Sequence, residues 1–319
     1  MQLATISEAE QGAVMHRHQT EVQEMAQGIE RVLIVRLGSM GDVIHALPAA
    51  ALLRRAFPFL TLGWMIEERW AELLCAPGTP RAGPRGAGRP LVDVVHAVNT
   101  LQWRSAPFSG ETWKEARSAW RELRAAKYEL AVDFQGAVRT ALMARWTGAE
   151  AVAGFARPRE HAAGVFYTHT VEAGGMHVIE QNAALAAAIA GVRAEVPRAE
   201  FPLDPVAEES CERRLRLHAV RQFAILNPGA GWAGKQWPAE RYGEVARGLA
   251  RMGLRCLINF GPGEEPLARA AAATSAGAAE AVPSSVSELI AFTRRARLFI
   301  GGDTGPMHLA AALGVPVVA

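Results

Sequence analysis

Three glycine-containing segments of this 319-residue chain carry side chains suited to chemistry on phosphorylated substrates. In GGDTGPMHLAAALG (301–314), Pro306 stands where a first helical turn accepts proline, and Gly314 where a helix end accepts glycine. The turn before His308 leaves backbone N–H groups free, and a helix N-terminus there makes an anion site. Asp303 and Thr304, at the carboxyl end of the preceding strand, reach a ligand held in that turn. The same residues also serve as ordinary helix caps with nothing bound. GSMGD (38–42) has the spacing GxxG rather than GxGxxG, which disfavours a dinucleotide-binding oxidoreductase. Its Asp42 falls at a helix N-terminus, where the ionised form that a general base needs is favoured; a plain N-cap is the alternative.

NPGAGWAGKQWP (227–238) offers Gly229 and Gly231 for close backbone approach, and Lys235 as either a phosphate clamp or a solvated cation. Trp232 and Trp237 are expected to pack rather than stack on a base. The chain has only five aspartates (42, 93, 133, 204 and 303), no DxD pair and no HExxH, so a phosphate leaving group would be neutralised by lysine and helix N-termini. No GxSxG nucleophile elbow occurs. Arg81, Arg85 and Arg89 read as a solvated loop first and an acidic-ligand contact second. Of nine histidines, His45, His177 and His308 lie in motif-like segments, and His45 falls in a helix that could simply bury it.

The elements that must position these residues repeat a strand–loop–helix unit. RVLIVRL (31–37) is a continuous apolar run typical of a strand covered on both faces. VIHALPAAALLRRAF follows at helical spacing and stops at Pro58. LTLGWMI (60–66), VDVVHAV (92–98) and ELAVDFQG (129–136) read as further strands, with a charged helix near 111–127 and another in AVRTALMARW. Val196 to Pro205 contains three prolines and reads as a linker. The pattern then restarts with RQFAILNPGAG (221–231), a helix near 239–252, LRCLINFGPGEE (254–265), an Ala-rich helix and RLFIGGDTGPMHLAAALGVPVVA. The fold class is α/β, with two Rossmann-like domains facing across a cleft that holds the site.

Length favours two domains, and 50% hydrophobic with 21% charged residues is ordinary for a globular protein. A net charge of +2 is too balanced for coating nucleic acid. Three dispersed cysteines form no CxxC and point to a reducing compartment. No run reaches the roughly 18 apolar residues that cross a bilayer, and the polar N-terminus has no signal-peptide core. A cytoplasmic protein is expected.

Together RVLIVRLGSMGDVIHALPA, GAGWAGKQWP and GGDTGPMHLAAALGVPVV resemble glycosyltransferase family 9, the ADP-heptose:lipopolysaccharide heptosyltransferases, over about Arg31 to Ala319. SMGDVIHALP and WRSAPFSGETWKEARSAWRELRAAKYELAVDFQGAVRTA look most like the heptosyltransferase I branch. The resemblance implies a GT-B fold and an inverting, metal-independent transferase without a cofactor, moving L-glycero-D-manno-heptose from ADP-heptose to Kdo on lipid A. By position, Asp42 matches the base, Lys235 the diphosphate lysine, Asp303 the acid on the heptose hydroxyls, Thr304 and Gly305 the diphosphate turn, and His308 the histidine of the following helix. Glu264 or Glu265 would contact the ribose. Ser39, Gly41, Arg104, Lys114, Arg139, Arg159 and His177 lie in the acceptor stretches, where exposed helix charges are the alternative for the basic residues.

The expected domains are an extension (1–29), an acceptor-binding domain (30–200) and a nucleotide-sugar domain (201–319). The extension, an inserted-looking 79–90 loop and an end at PVVA, where relatives continue, depart from the family pattern. The second domain is therefore expected to be incomplete. A monomer working peripherally at the cytoplasmic face of the inner membrane is implied, with no nucleic-acid partner. The rival readings are a family member with another acceptor, such as a heptosyltransferase II-like enzyme, and a non-catalytic nucleotide-sugar-binding remnant.

Overall fold

The computed structural model describes residues 28–217 and 222–319. Residues 1–27 of the expected extension lie outside the described residues. The first unit runs β1 (Arg31–Val35), α1 (Met40–Ala56), β2 (Thr61–Glu67), β3 (Val94–Val98), α2 (Thr100–Ser105), α3 (Gly110–Ala125), β4 (Leu130–Asp133), α4 (Val138–Trp146), β5 (Ala151–Phe155), β6 (His169–Val171) and α5 (Val178–Ala190). Four of the five β1 residues are buried, as expected of a strand with apolar side chains on both faces. The six strands are parallel in the order β3-β2-β1-β4-β5-β6. Strand order reverses between β1 and β4, so the loops after these two strands diverge and leave a crevice at the carboxyl edge.

The second unit comprises α6 (Pro205–Leu217), β7 (Phe223–Asn227), α7 (Ala239–Arg251), β8 (Arg255–Phe260), α8 (Glu265–Thr274), β9 (Ala279–Pro283), α9 (Val286–Arg295), β10 (Leu298–Gly301), α10 (Gly305–Ala312) and β11 (Val317–Val318). Its parallel order, β11-β10-β7-β8-β9, places a second switch point between β7 and β10. The two Rossmann-like units meet along α1. Twelve of the seventeen α1 residues are buried, because the helix is covered by the sheet, by α5 and by α10 from the other unit. Leu289, Ile290 and Leu309 share a buried cluster with Ile44 and Leu47 of α1. Glu72 also accepts the Ser287 N–H across the units at 2.7 Å. Among the described residues no helix is long and apolar enough to cross a membrane.

Several short elements exceed the sequence reading. β5 is Ala-Val-Ala-Gly-Phe, β6 has three residues and β9 ends on Pro283, so none shows a strong β-branched run. The 79–90 loop is a correction. Arg89 is 1% exposed rather than solvated. Its guanidinium donates to the carbonyls of Val92, Pro80, Gly83 and Pro84, so the loop is wound around a cation in place of an apolar anchor. Arg81 pairs with Glu68 and Arg85 with Asp93. The linker is also fixed: Arg294 donates to the carbonyls of Phe201 (2.9 Å) and Pro202 (2.8 Å).

Candidate active site

At the first switch point the chain leaves β1 through Arg36, whose side chain turns under α1 and is buried. Its Nη2 lies 2.7 Å from Asp42 Oδ1 and its Nη1 donates to the Phe134 carbonyl; Nε has no partner among the described residues. Ser39, not Asp42, is the N-cap of α1. Asp42 occupies the third helical position, where Oδ2 accepts the Ser39 N–H (2.9 Å) and hydroxyl (3.2 Å). Burial alone would raise the Asp42 pKa. The Arg36 charge and the Ser39 hydrogen bonds outweigh it, so the carboxyl is held below its usual range.

The loop after β4 is fixed from below. Asp133, fully buried, accepts N–H bonds from Gln135 and Gly136 and hydroxyl bonds from Thr140 and Tyr167. Gln135 Oε1 in turn accepts the Leu37 N–H at 3.1 Å, tying the two loops together. A cavity of about 660 Å³ opens beside them, lined among others by Asp42, Gln135, Arg157, Arg159 and Asn182.

In the second unit, Thr304 caps α10, Pro306 lies in its first turn, and Gly314 follows its end at φ +78°. Gly305 begins the helix beside Met40 of α1. Asp303 is held on one side by Lys235 Nζ (2.9 Å) and on the other by His308 Nε2 (3.1 Å). The Lys235 hydrogen bond is the largest effect lowering the Asp303 pKa. Gly229 lies against the Glu264 carboxylate, whose Oε2 accepts the Gly261 N–H at 2.9 Å. Glu265 instead pairs with Arg269 along the exposed face of α8. Of the two glutamates, Glu264 therefore faces the glycine loop. Gly231 is exposed and has open space around it. Trp232, expected to pack, is exposed, its ring lying over Gly234 of a short 3-10 turn; Trp237 is partly covered, edge-on to Tyr242.

The halves touch through histidines. His45 Nε2 lies 3.2 Å from His308 Nδ1, and His45 is edge-on to both His308 and His177. A Cβ on Gly41 would come within 2.6 Å of the His308 ring, so only glycine permits this approach. Burial, then the neighbouring His308 and His177, pushes the His45 pKa down to about 4. His308 is lowered as well, first by burial. Rather than lying alone in a core, His45 is part of the seam. His177 caps α5 by accepting the Ile179 N–H.

Of the acceptor-stretch residues, Arg159 reaches the Asp42 cavity and Ser39 and Gly41 lie at the start of α1. Arg104 and Arg139 do not line that cavity. They border a separate groove between α3 and α4, and Arg139 donates to Thr100 Oγ1 at 3.2 Å. Arg36, Gln135, Arg157 and Asn182 were not singled out by the sequence.

The sequence profile of glycosyltransferase family 9 (heptosyltransferase) matches residues 116–319. Lipopolysaccharide heptosyltransferase 1 of Escherichia coli K12 is 31% identical over 297 residues, covering 90% of this chain and 86% of that protein. The enzyme of the same name from Pseudomonas aeruginosa is 29% identical over 300 residues, covering 90% and 77%. The solved structure of E. coli heptosyltransferase WaaC with ADP-2-deoxy-2-fluoro heptose superposes with a TM-score of 0.73 at 28% identity, covering 90% of this chain and 87% of that one. The chain belongs to glycosyltransferase family 9.

Proposed function

We propose that the chain transfers L-glycero-D-manno-heptose from ADP-heptose to a Kdo hydroxyl of the lipid A-linked inner core, with inversion at the anomeric carbon. The observation that carries this reading is the pairing of Asp42 with Arg36 at one switch point, facing a Lys235–Asp303–His308 group at the other. The names of the relatives and the ADP-heptose analogue in the WaaC structure support the donor.

Asp42 takes the acceptor proton as the hydroxyl oxygen attacks the anomeric carbon. The bond from that carbon to the diphosphate breaks, and its electron pair leaves on the ADP β-phosphate oxygen. A carboxylate with a lowered pKa is ionised throughout the working range but is a weak base, so proton transfer is late, after attack is advanced. Lys235 exchanges Asp303 for the diphosphate and neutralises the leaving group, together with the N–H groups that open α10. Asp303, released from Lys235, accepts heptose hydroxyls, and Glu264 accepts the ribose hydroxyls. Arg157 and Arg159 border the Asp42 cavity and suit the carboxylate of an acidic sugar. A lipid-anchored acceptor would hold the enzyme peripherally on the cytoplasmic side of the membrane.

The test is ADP release from ADP-heptose with and without Kdo-lipid A. Release is expected to depend on the acceptor, and Asp42→Asn is expected to lower it by roughly 10²–10⁴-fold with ADP affinity nearly unchanged. An undiminished rate in Asp42→Asn would sink the base assignment.

A further inference from the structure

On the flank of the first unit, α3 and α4 diverge above Val98 and Leu123 and leave an open groove of about 1060 Å³. Four of the chain's eight tryptophans line it: Trp103, Trp113, Trp120 and Trp146. Trp113, Trp120 and Trp146 are 66%, 44% and 57% exposed, and Phe108, in the turn before α3, is 94% exposed. Trp113 and Trp120 stand seven residues apart on one face of α3, with Arg117 and Arg124 one turn beyond each. Arg104, Arg139 and Arg145 complete a set of five guanidinium groups; among the described residues no Asp or Glu lines the groove itself, and Glu115 accepts the indole N–H of its Trp103 at 3.2 Å. Arg124 lies 5.3 Å over the Trp120 ring. The guanidinium groups of Arg104, Arg117 and Arg145 have no ion pair or hydrogen bond among the described residues.

So much clustered aromatic surface is not what a free surface carries. Amphipathic rings beside unpaired cations match the interface of a bilayer, where the rings sit at headgroup depth and the cations meet lipid phosphates. A nucleic-acid strand would call for a basic track along the chain, which a net charge of +2 does not provide. We propose that this groove docks the protein on an anionic lipid surface, with Trp113, Trp120 and Trp146 entering the interface and the five arginines contacting lipid phosphates. The proposal deepens the reading of a lipid-anchored acceptor. Gln135 lines the Asp42 cavity and Arg139 the groove, so the β4–α4 connection joins the two.

The experiment is co-sedimentation of the full chain with phosphatidylglycerol–phosphatidylethanolamine vesicles and with phosphatidylcholine vesicles, without donor or acceptor. Binding to the anionic vesicles, with a blue shift of tryptophan fluorescence, is expected. The Trp113→Ala/Trp120→Ala variant, and separately Arg117→Glu/Arg145→Glu, should weaken it by about tenfold or more while leaving ADP affinity unchanged. The charge-reversal pair tests the same surface should the tryptophan pair fail to fold. Equal sedimentation of wild type and both variants would overturn the proposal, as would no binding to either vesicle. A dimer or an oligothymidylate complex that the variants abolish, in place of vesicle binding, would overturn it too. The vesicles carry no Kdo, so failure here is distinct from failure of heptosyl transfer.

Discussion

Gly41 of α1 and His308 of α10 approach so closely that one added carbon would lie within 2.6 Å of the imidazole. The helix carrying Asp42 and the helix following the Asp303 turn are thus in direct register through a residue without a side chain. Gly41→Ala is expected to push the ring off His45 and cost about 1–3 kcal/mol of stability through overpacking, with kcat/KM falling at least tenfold. Gly248→Ala, on α7 with open space around it, is the control and should lose neither stability nor activity. Urea unfolding and transfer kinetics on both variants check this.

Arg36 sets the protonation of Asp42. Without the cation, only the Ser39 hydrogen bonds oppose burial, and the carboxyl pKa rises. Arg36→Gln should therefore move the acid limb of the kcat/KM profile to higher pH, with the deficit greatest in acid. A limb that stays in place, with a uniform drop at every pH, would mean that Arg36 acts through structure alone.

The histidine seam gives a second pH dependence at a different window. His45 is depressed from 6.5 to about 4 in the folded protein, so the unfolded chain binds the proton more readily. Its neutral form favours folding fully above pH 6.5, and that stability is lost as pH falls from 6.5 towards 4. Asp42 and Arg36 also act on this ring, Asp42 favouring its charge and Arg36 opposing it. Thermal unfolding should show Tm declining through this window, with a flatter decline in His45→Gln.

Arg89→Ala should be far more damaging than its place in a Gly/Pro loop suggests. Four carbonyls lose their donor at once, for an expected cost of about 3–5 kcal/mol. Arg81→Ala removes only an exposed pair with Glu68 and should cost under about 1 kcal/mol. Equilibrium denaturation of the two variants separates a buried anchor from a surface pair.

Both switch-point loops were legible because parallel strands buried on two faces leave apolar runs, and glycine turns mark where they end. The runs behind β1, β2 and β7 show this. β5, β6 and β9 were not, since three to five residues that set single Val, Thr or Phe among Ala, Gly, His, Glu or Pro carry no such pattern. Asp42, Asp303 and Lys235 stood out within their motifs. Arg36 did not: in RVLIVRL it reads as the polar end of a strand, and only the crossing of α1 above it makes it Asp42's partner. Arg104 and Arg139 occupy stretches associated with an acceptor, yet the divergence of α3 from α4 draws them into the tryptophan groove. Such a placement depends on helix packing, which sequence spacing does not encode.

The buried cluster that joins Leu289, Ile290 and Leu309 to α1 also constrains how the enzyme can move. Pulling the two halves straight apart would expose these side chains, at about 1.5–3 kcal/mol each. Opening to admit substrate must then pivot about this shared seam instead of separating it. The linker adds a second restraint, because Arg294 on α9 grips Phe201 and Pro202 and carries that stretch with the second half. A rotation about that seam would displace the groups near α1 and α10 least. Asp42, next to the Gly41 that packs on His308, would keep its spacing from that ring under such a rotation, while groups farther from the seam would travel through a larger arc.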